Sequence, residues 1–103
     1  MDAAFRSVKV WQKTQQLAVE CCALVDKLPA KRSAALIGAQ LARSSSSIAA
    51  NIAEGYGRYS PGAYRNHLSI ARGSLWETES HLDLLIRLGH LKVLEIKHVL
   101  ELC

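Results

Sequence analysis

Proline is scarce in this sequence. Both copies, Pro29 and Pro61, sit at the edges of apolar-periodic stretches, so long helices are permitted over most of the chain. No uninterrupted apolar run reaches about 18 residues, and mean hydropathy is close to zero, which argues against a membrane span. The start, MDAAFRSVKVWQK, is broken by charges and lacks an apolar h-region, so no signal peptide is expected and a cytoplasmic protein is. Cysteine is sparse as well. Cys21 and Cys22 are adjacent and Cys103 is far away, which provides neither a disulfide framework nor a CxxC pair, and buried reduced thiols are the expectation.

The motifs of catalysis are missing too. His67, His81, His90 and His98 show no HExxH-like spacing, so no metal and no cofactor are expected. No G-x-S-x-G nucleophile elbow occurs. Gly55-Tyr-Gly-Arg58 is short and follows a helical pattern, whereas a phosphate-cradling loop needs a strand before it. The expectation is that the protein is not an enzyme. Period-two alternation is also absent over any useful length, which leaves no strand to propose.

Acidic residues are lacking in one region only. Residues 27–72 carry Lys27, Lys31, Arg32, Arg43, Arg58, Arg65 and Arg72 against Glu54 alone. The flanking segments are neutral or acidic, so an anionic partner would be felt by the middle of the chain.

What is present is helical periodicity over 103 residues, a length suited to one domain. A first helix is expected over about 7–27, with Ser7 as N-cap, a row of Trp11, Ala18, Cys22 and Val25 that Val10, Leu17, Cys21, Leu24 and Leu28 widen into a broad apolar face, and a stop at Leu28-Pro29. A second helix is expected over 33–54, with Ile37, Leu41, Ile48 and Ile52 facing a core and Gly55 as its C-cap. Beside that apolar row runs a polar stripe of Gln40, Arg43, Ser47, Asn51, Glu54 and Arg58. The serines at 44–47 are read as small residues that allow close helix approach and bond back to the preceding turn. Ser60-Pro61 opens a third helix over 61–88, with Tyr64, Leu68, Ala71, Leu75, Leu82 and Leu85 inward, and Glu77 and His81 at the core edge. Gly73, in Ala71-Arg-Gly-Ser74, marks a place where another backbone could approach. A short fourth helix over 91–102 offers Leu94, His98 and Leu102 at intervals of four. Short links between long amphipathic helices favour antiparallel neighbours, so the fold class is all-α, an up-and-down four-helix bundle.

An ordered polar stripe on a core-facing helix has to find partners. Gln40, Arg43, Asn51 and Glu54 are expected to join a structural network, inside the subunit or across a subunit seam, with direct ligand contact as the alternative. Glu77 on the third helix and Lys13 on the first are the candidate counter-charges, since Arg43 and Glu54 are about 16 Å apart along one helix. Exposed cations are the expected nucleic-acid contacts. Lys9, Lys13, Arg58 and Arg65 should meet at one end of the bundle and Lys27, Lys31 and Arg32 at the other, near Lys92. Tyr56 and Tyr59 could add base stacking.

Trp11-Gln-Lys13, Gln40-Leu with Arg43, Ser47-Ile48, Asn51-Ile-Ala-Glu-Gly55, Arg58-x-Ser60 and Leu68-x-Ile-Ala71-x-Gly-Ser74 followed by Glu77 occur in an order and spacing that resembles the 23S rRNA intervening-sequence proteins. The resemblance spans nearly the whole chain. It implies a small cytoplasmic four-helix bundle assembled as a homopentamer, similar in fold to the accessory proteins of diversity-generating retroelements, which bind nucleic acid and a reverse transcriptase. It implies no enzymatic activity. Two departures bear on function. Ala42-Arg43 stands where the family often has two arginines, and Lys31-Arg32 stands where its first link is usually acidic. Two functions follow as expectations: an oligomeric bundle whose basic surface binds RNA or DNA, or a scaffold whose assembled ring docks a partner protein.

Overall fold

The computed structural model describes residues 4–58 and 60–103. A single 3-10 turn, Ala4–Ser7, leads into four α-helices: α1 (Lys9–Asp26), α2 (Arg32–Tyr56), α3 (Pro61–Arg87) and α4 (Val93–Leu102). They form the expected up-and-down bundle, and the fourth helix is the shortest. The molecule is a rod of 44 × 22 × 22 Å, its long dimension set by α3 at about 1.5 Å per residue.

The central rod is α2. It packs against α1 on one side and α3 on the other, and the backbones of α1 and α3 do not touch. The gap between them is bridged from the opposite side by α4, which leans on both but spans only part of their length. The core runs through Leu17, Cys21 and Leu24 of α1, Leu41, Ile48 and Ile52 of α2, Ala71, Leu82 and Leu85 of α3, and Ile96 and Val99 of α4.

The helix ends differ in places from the sequence expectation. Ser60 caps α3 through the Ala63 N–H at 3.2 Å, with Pro61 in the first turn, as the sequence implied. Ser7 does not cap α1: its hydroxyl donates to the Ala4 carbonyl within the 3-10 turn, and Val8 holds the N-cap position without a side-chain bond. Gly55 is not the C-cap of α2 either. The helix continues to Tyr56, Gly57 holds the C-cap with right-handed backbone, and Gly55 is buried in the last turn. A Cβ on Gly55 would stand 2.8 Å from His67 Cβ, so glycine is needed there for close packing rather than for a left-handed turn.

Burial also corrects two rows. Of the broad apolar face expected for α1, Leu17, Cys21 and Leu24 are buried, while Cys22 faces solvent and Val10 is half exposed, because the face is wider than the stripe α2 can cover. In α4 the inward residues are Ile96 and Val99, while Leu94 is 81% exposed and His98 lies outside. The interval of four that picked out Leu94 and His98 is a local regularity; the gap between α1 and α3 accepts the edge that continues from buried Leu91. In α3, Gly73 faces open space and no backbone approaches it.

Candidate nucleic-acid interface

The polar stripe of α2 becomes a seam along α3. At its middle, Ser44 and Thr78 are both fully buried, and the Thr78 hydroxyl lies 2.9 Å from Ser44 Oγ and 2.8 Å from the Ser74 carbonyl. One turn on, Ser47 Oγ and Ser74 Oγ are 3.0 Å apart. Asn51 then donates through Nδ2 to the Ser47 carbonyl at 2.8 Å and to its hydroxyl at 3.0 Å. That leaves Oδ1 of Asn51 to accept from Nδ1–H of His67 on α3 at 3.2 Å. At the other end, Arg43 pairs with Glu77 across the two helices and donates through Nε to Gln40, while His81 Nε2 lies 3.4 Å from the same carboxylate.

The serine run earns its place in this way. Ser44, Ser45 and Ser46 each donate to the carbonyl three residues back, which satisfies the hydroxyls and lets α1 and α3 approach over small side chains. No buried side-chain nitrogen or oxygen among the described residues lacks a partner.

The structure brings Gln40, Arg43 and Glu77 together, and it joins Asn51 to the same seam. Glu54 stands apart: its carboxylate takes a 2.7 Å bond from Arg58, one turn later on the chain, and both side chains are about half exposed. Being at the solvent edge, Glu54 finds a local cation rather than a partner across the bundle. Lys13 joins no ion pair of the seam; it lies instead near Cys103 at the end of α4. Thr78 was not singled out from the sequence, Ser44 was read only as a small residue for close helix approach, and His67 only as a histidine without metal-ligand spacing. Thr78 follows Ser74 by one turn and His67 precedes it by two, so the face was readable; what hid them was that neutral residues gave no charge to balance.

With the seam self-satisfied, the free valence for a ligand lies in the cations. Lys9, Lys13, Lys27, Lys31, Arg32, Arg58 and Arg65 are all exposed. Lys27 is the C-cap of α1, Lys31 is the N-cap of α2 and Arg32 is its first residue. His90 Nε2 lies 2.7 Å from Ser33 Oγ, which fastens the α3–α4 link onto the start of α2 and carries Lys92 to the same end. Cations at a helix N-terminus oppose the macrodipole, and no acidic residue in the first turn of α2 offsets them. They add to the positive field there instead of stabilising the helix.

At the opposite end, Lys9 and Lys13 lie in the first turns of α1 and Arg65 in the first turns of α3. Arg58 is partly neutralised by Glu54. Tyr56, Arg58, Ser60 and Tyr64 line an open pocket of about 360 Å³ at the α2–α3 turn. Tyr59, the other stacking candidate, lies outside the described residues. Among the described residues no three His, Cys, Asp or Glu side chains gather within reach of one metal ion. No described helix is long and apolar enough to cross a membrane.

A family model described as 23S rRNA-intervening sequence protein matches residues 6–103. The chain belongs to that family. No curated protein matches it. Within the 23S rRNA-intervening sequence family frame, the motif residues Ser47, Asn51, Gly55, Ser74 and Glu77 are those that build the α2–α3 seam or its close approach. Lys31-Arg32 lies outside the seam on an exposed end.

Proposed function

We propose that the protein is a non-enzymatic, cytoplasmic helical bundle that self-associates and binds RNA through phosphate contacts. The observation that carries this reading is the placement of Lys31 and Arg32. Both are exposed at the dipole-unfavourable end of α2, next to Lys27, and neither joins an ion pair among the described residues. Such a group engages phosphates without reading base edges. Lys9, Lys13, Arg58 and Arg65 form a second, weaker cluster. A cytoplasmic setting suits the exposed, unpaired thiols Cys22 and Cys103.

Self-association is supported by a face that a lone rod would leave wet. Ala35, Leu36, Ala39, Ser46 and Ala50 of α2 are exposed beside Val19 and Cys22 of α1. Small side chains there permit another helix to pack closely. The same face supports a second reading, a scaffold whose assembled ring docks a partner protein.

Titration of a fluorescent RNA hairpin at rising salt tests the first reading. Affinity should fall with a log–log slope of about −3 if three cations contact phosphate. The double variant Lys31→Glu, Arg32→Glu should lose most binding while keeping its helical circular dichroism. Unchanged affinity in that variant would remove RNA binding by this end and leave the scaffold reading.

A further inference from the structure

Arg43 pairs with Glu77, Arg58 with Glu54 and Arg87 with Asp83. Arg65 and Arg72 of α3 differ: neither joins an ion pair among the described residues. The chain offers them no acid nearby. Four residues to either side stand Pro61, Leu68, Ser69 and Trp76, and from Gly55 to Trp76 there is no Asp or Glu. The two arginines are seven residues apart, two turns along the solvent face of α3. With Ser69 and the partly buried Leu68 they line a cleft of about 350 Å³.

Trp76 continues the same stripe and is 63% exposed. The Arg72 guanidinium lies over its indole, 5.5 Å from the ring centroid. The neighbours of Trp76 at three and four residues are Arg72, Gly73, Glu79 and Ser80, so no apolar patch surrounds it. Nothing lies within 4 Å of where a Cβ of Gly73 would stand, which leaves that flank of the helix open. A protein partner anchors on an aromatic ringed by water-excluding contacts, and this surface is charged, small or hydroxylated instead. An open aromatic face beside two unpaired guanidinium groups matches a single strand of nucleic acid, whose bases stack while its phosphates meet cations. A duplex does not match, because its bases are already stacked within the helix. Carboxylates begin again just past the indole, at Glu77, Glu79 and Asp83, so the basic track ends there. From Arg65 to Trp76 the helix rises about 16 Å, the span of about five stacked nucleotides at about 3.4 Å each.

We infer that the solvent face of α3 from Arg65 to Trp76 is a binding strip for single-stranded RNA, with Arg65 and Arg72 on phosphates and Trp76 against a base. This rests on the reading of the protein as an RNA binder, at a face other than the Lys31–Arg32 end. Phosphate contacts at that end are indifferent to strandedness; the α3 strip selects unpaired RNA.

Trp76 reports on its own stacking. With Trp11→Phe it is the single tryptophan left, and a base stacked on it quenches its emission. The probe is a uridine oligomer of about eight nucleotides, and saturable quenching is the expected result. An RNA duplex of the same length and inorganic polyphosphate should not quench. Anisotropy of the labelled oligomer, which needs no change at Trp11, gives affinities. Trp76→Ala and Arg72→Gln, both at exposed positions, should each weaken binding about tenfold with helical circular dichroism retained, and Trp76→Phe should recover most of the loss. No quenching, equal quenching by the duplex, or unchanged oligomer affinity in Trp76→Ala would overturn the strip and leave the hairpin titration of the Lys31–Arg32 end standing. Emission that shifts with protein concentration and ignores the oligomer would also overturn it, by assigning the face to a protein contact. Conversely, a hairpin unaffected by Lys31→Glu with Arg32→Glu, beside an oligomer that still quenches Trp76, would remove the other site and keep this one.

Discussion

Cys21 and Cys22 are neighbours in the chain and differ in burial, the first enclosed in the core and the second facing solvent. Burial pushes the Cys21 thiol from 9.0 up to about 12, although the adjacent Ser45 hydroxyl works in the opposite direction. Loss of solvation also raises the Cys103 thiol, with the nearby Glu79 adding to it. Cys22 and Cys103 should therefore react with an aromatic disulfide reagent in the native protein, and Cys21 only after denaturant is added; three thiols titrating together in buffer would contradict this burial. Between the unfolded value of 9.0 and the folded value near 12, the folded state holds more protons than the unfolded one. Stability contributed by the neutral, buried thiol is complete below pH 9 and is lost as pH climbs through that window, which thermal melts at pH 8, 9.5 and 10.5 would read as a falling midpoint. Thr78 offers a second test. Thr78→Val keeps the shape of the side chain but removes the hydroxyl that joins Ser44 to the Ser74 carbonyl, so urea unfolding should show a loss of about 1–2 kcal/mol. Arg43 and Glu77 are both more than a third exposed, and their pair is worth less than about 1 kcal/mol despite its motif position.

Two glycines show how the elements differ from their sequence patterns. Gly55 and Gly73 both sit inside helices, and both belong to motifs that the family frame picks out. Gly55 is wedged against the His67 and Tyr64 side chains of α3, whereas Gly73 has nothing within 4 Å of where a Cβ would stand. Gly55→Ala should force α2 and α3 apart and destabilise by about 1–3 kcal/mol. Gly73→Ala should stabilise by about 0.5–1 kcal/mol, because alanine loses less backbone entropy in a helix. Chemical denaturation of the pair would show opposite signs, and a shared sign would refute the packing described. The same distinction explains α4. Its amphipathic spacing is compatible with more than one inward edge, and the edge through Ile96 and Val99 is chosen by the gap it must fill.

For the whole molecule, an exposed face of small and apolar residues is the feature that bears on assembly. The small-residue face of α2 predicts the consequence. Light scattering should give a mass several times 11.3 kDa, and Ala39→Glu with Ala50→Glu should reduce it to that of one chain without loss of helix content. A wild-type protein that scatters as a single chain would remove self-association from the proposal. The basic ends obey a different law, since their contribution to binding is set by salt and should change smoothly with it.

The four helices, their order, the proline-capped start of α3 and the core positions Leu41, Ile48, Ile52, Leu82 and Leu85 were determined by the sequence alone. Periodicity, proline placement and capping act within a few residues of one chain segment, so their signal survives without knowledge of neighbours. The charge excess at residues 27–72 was equally legible, being a sum over residue types. Only the tertiary structure decided that Arg43 meets Glu77 while Glu54 turns to Arg58, that Thr78 and Ser44 close the buried seam, and that Cys21 rather than Cys22 is inward. Each of these depends on how far a second helix stands from the first, a distance that no local pattern encodes.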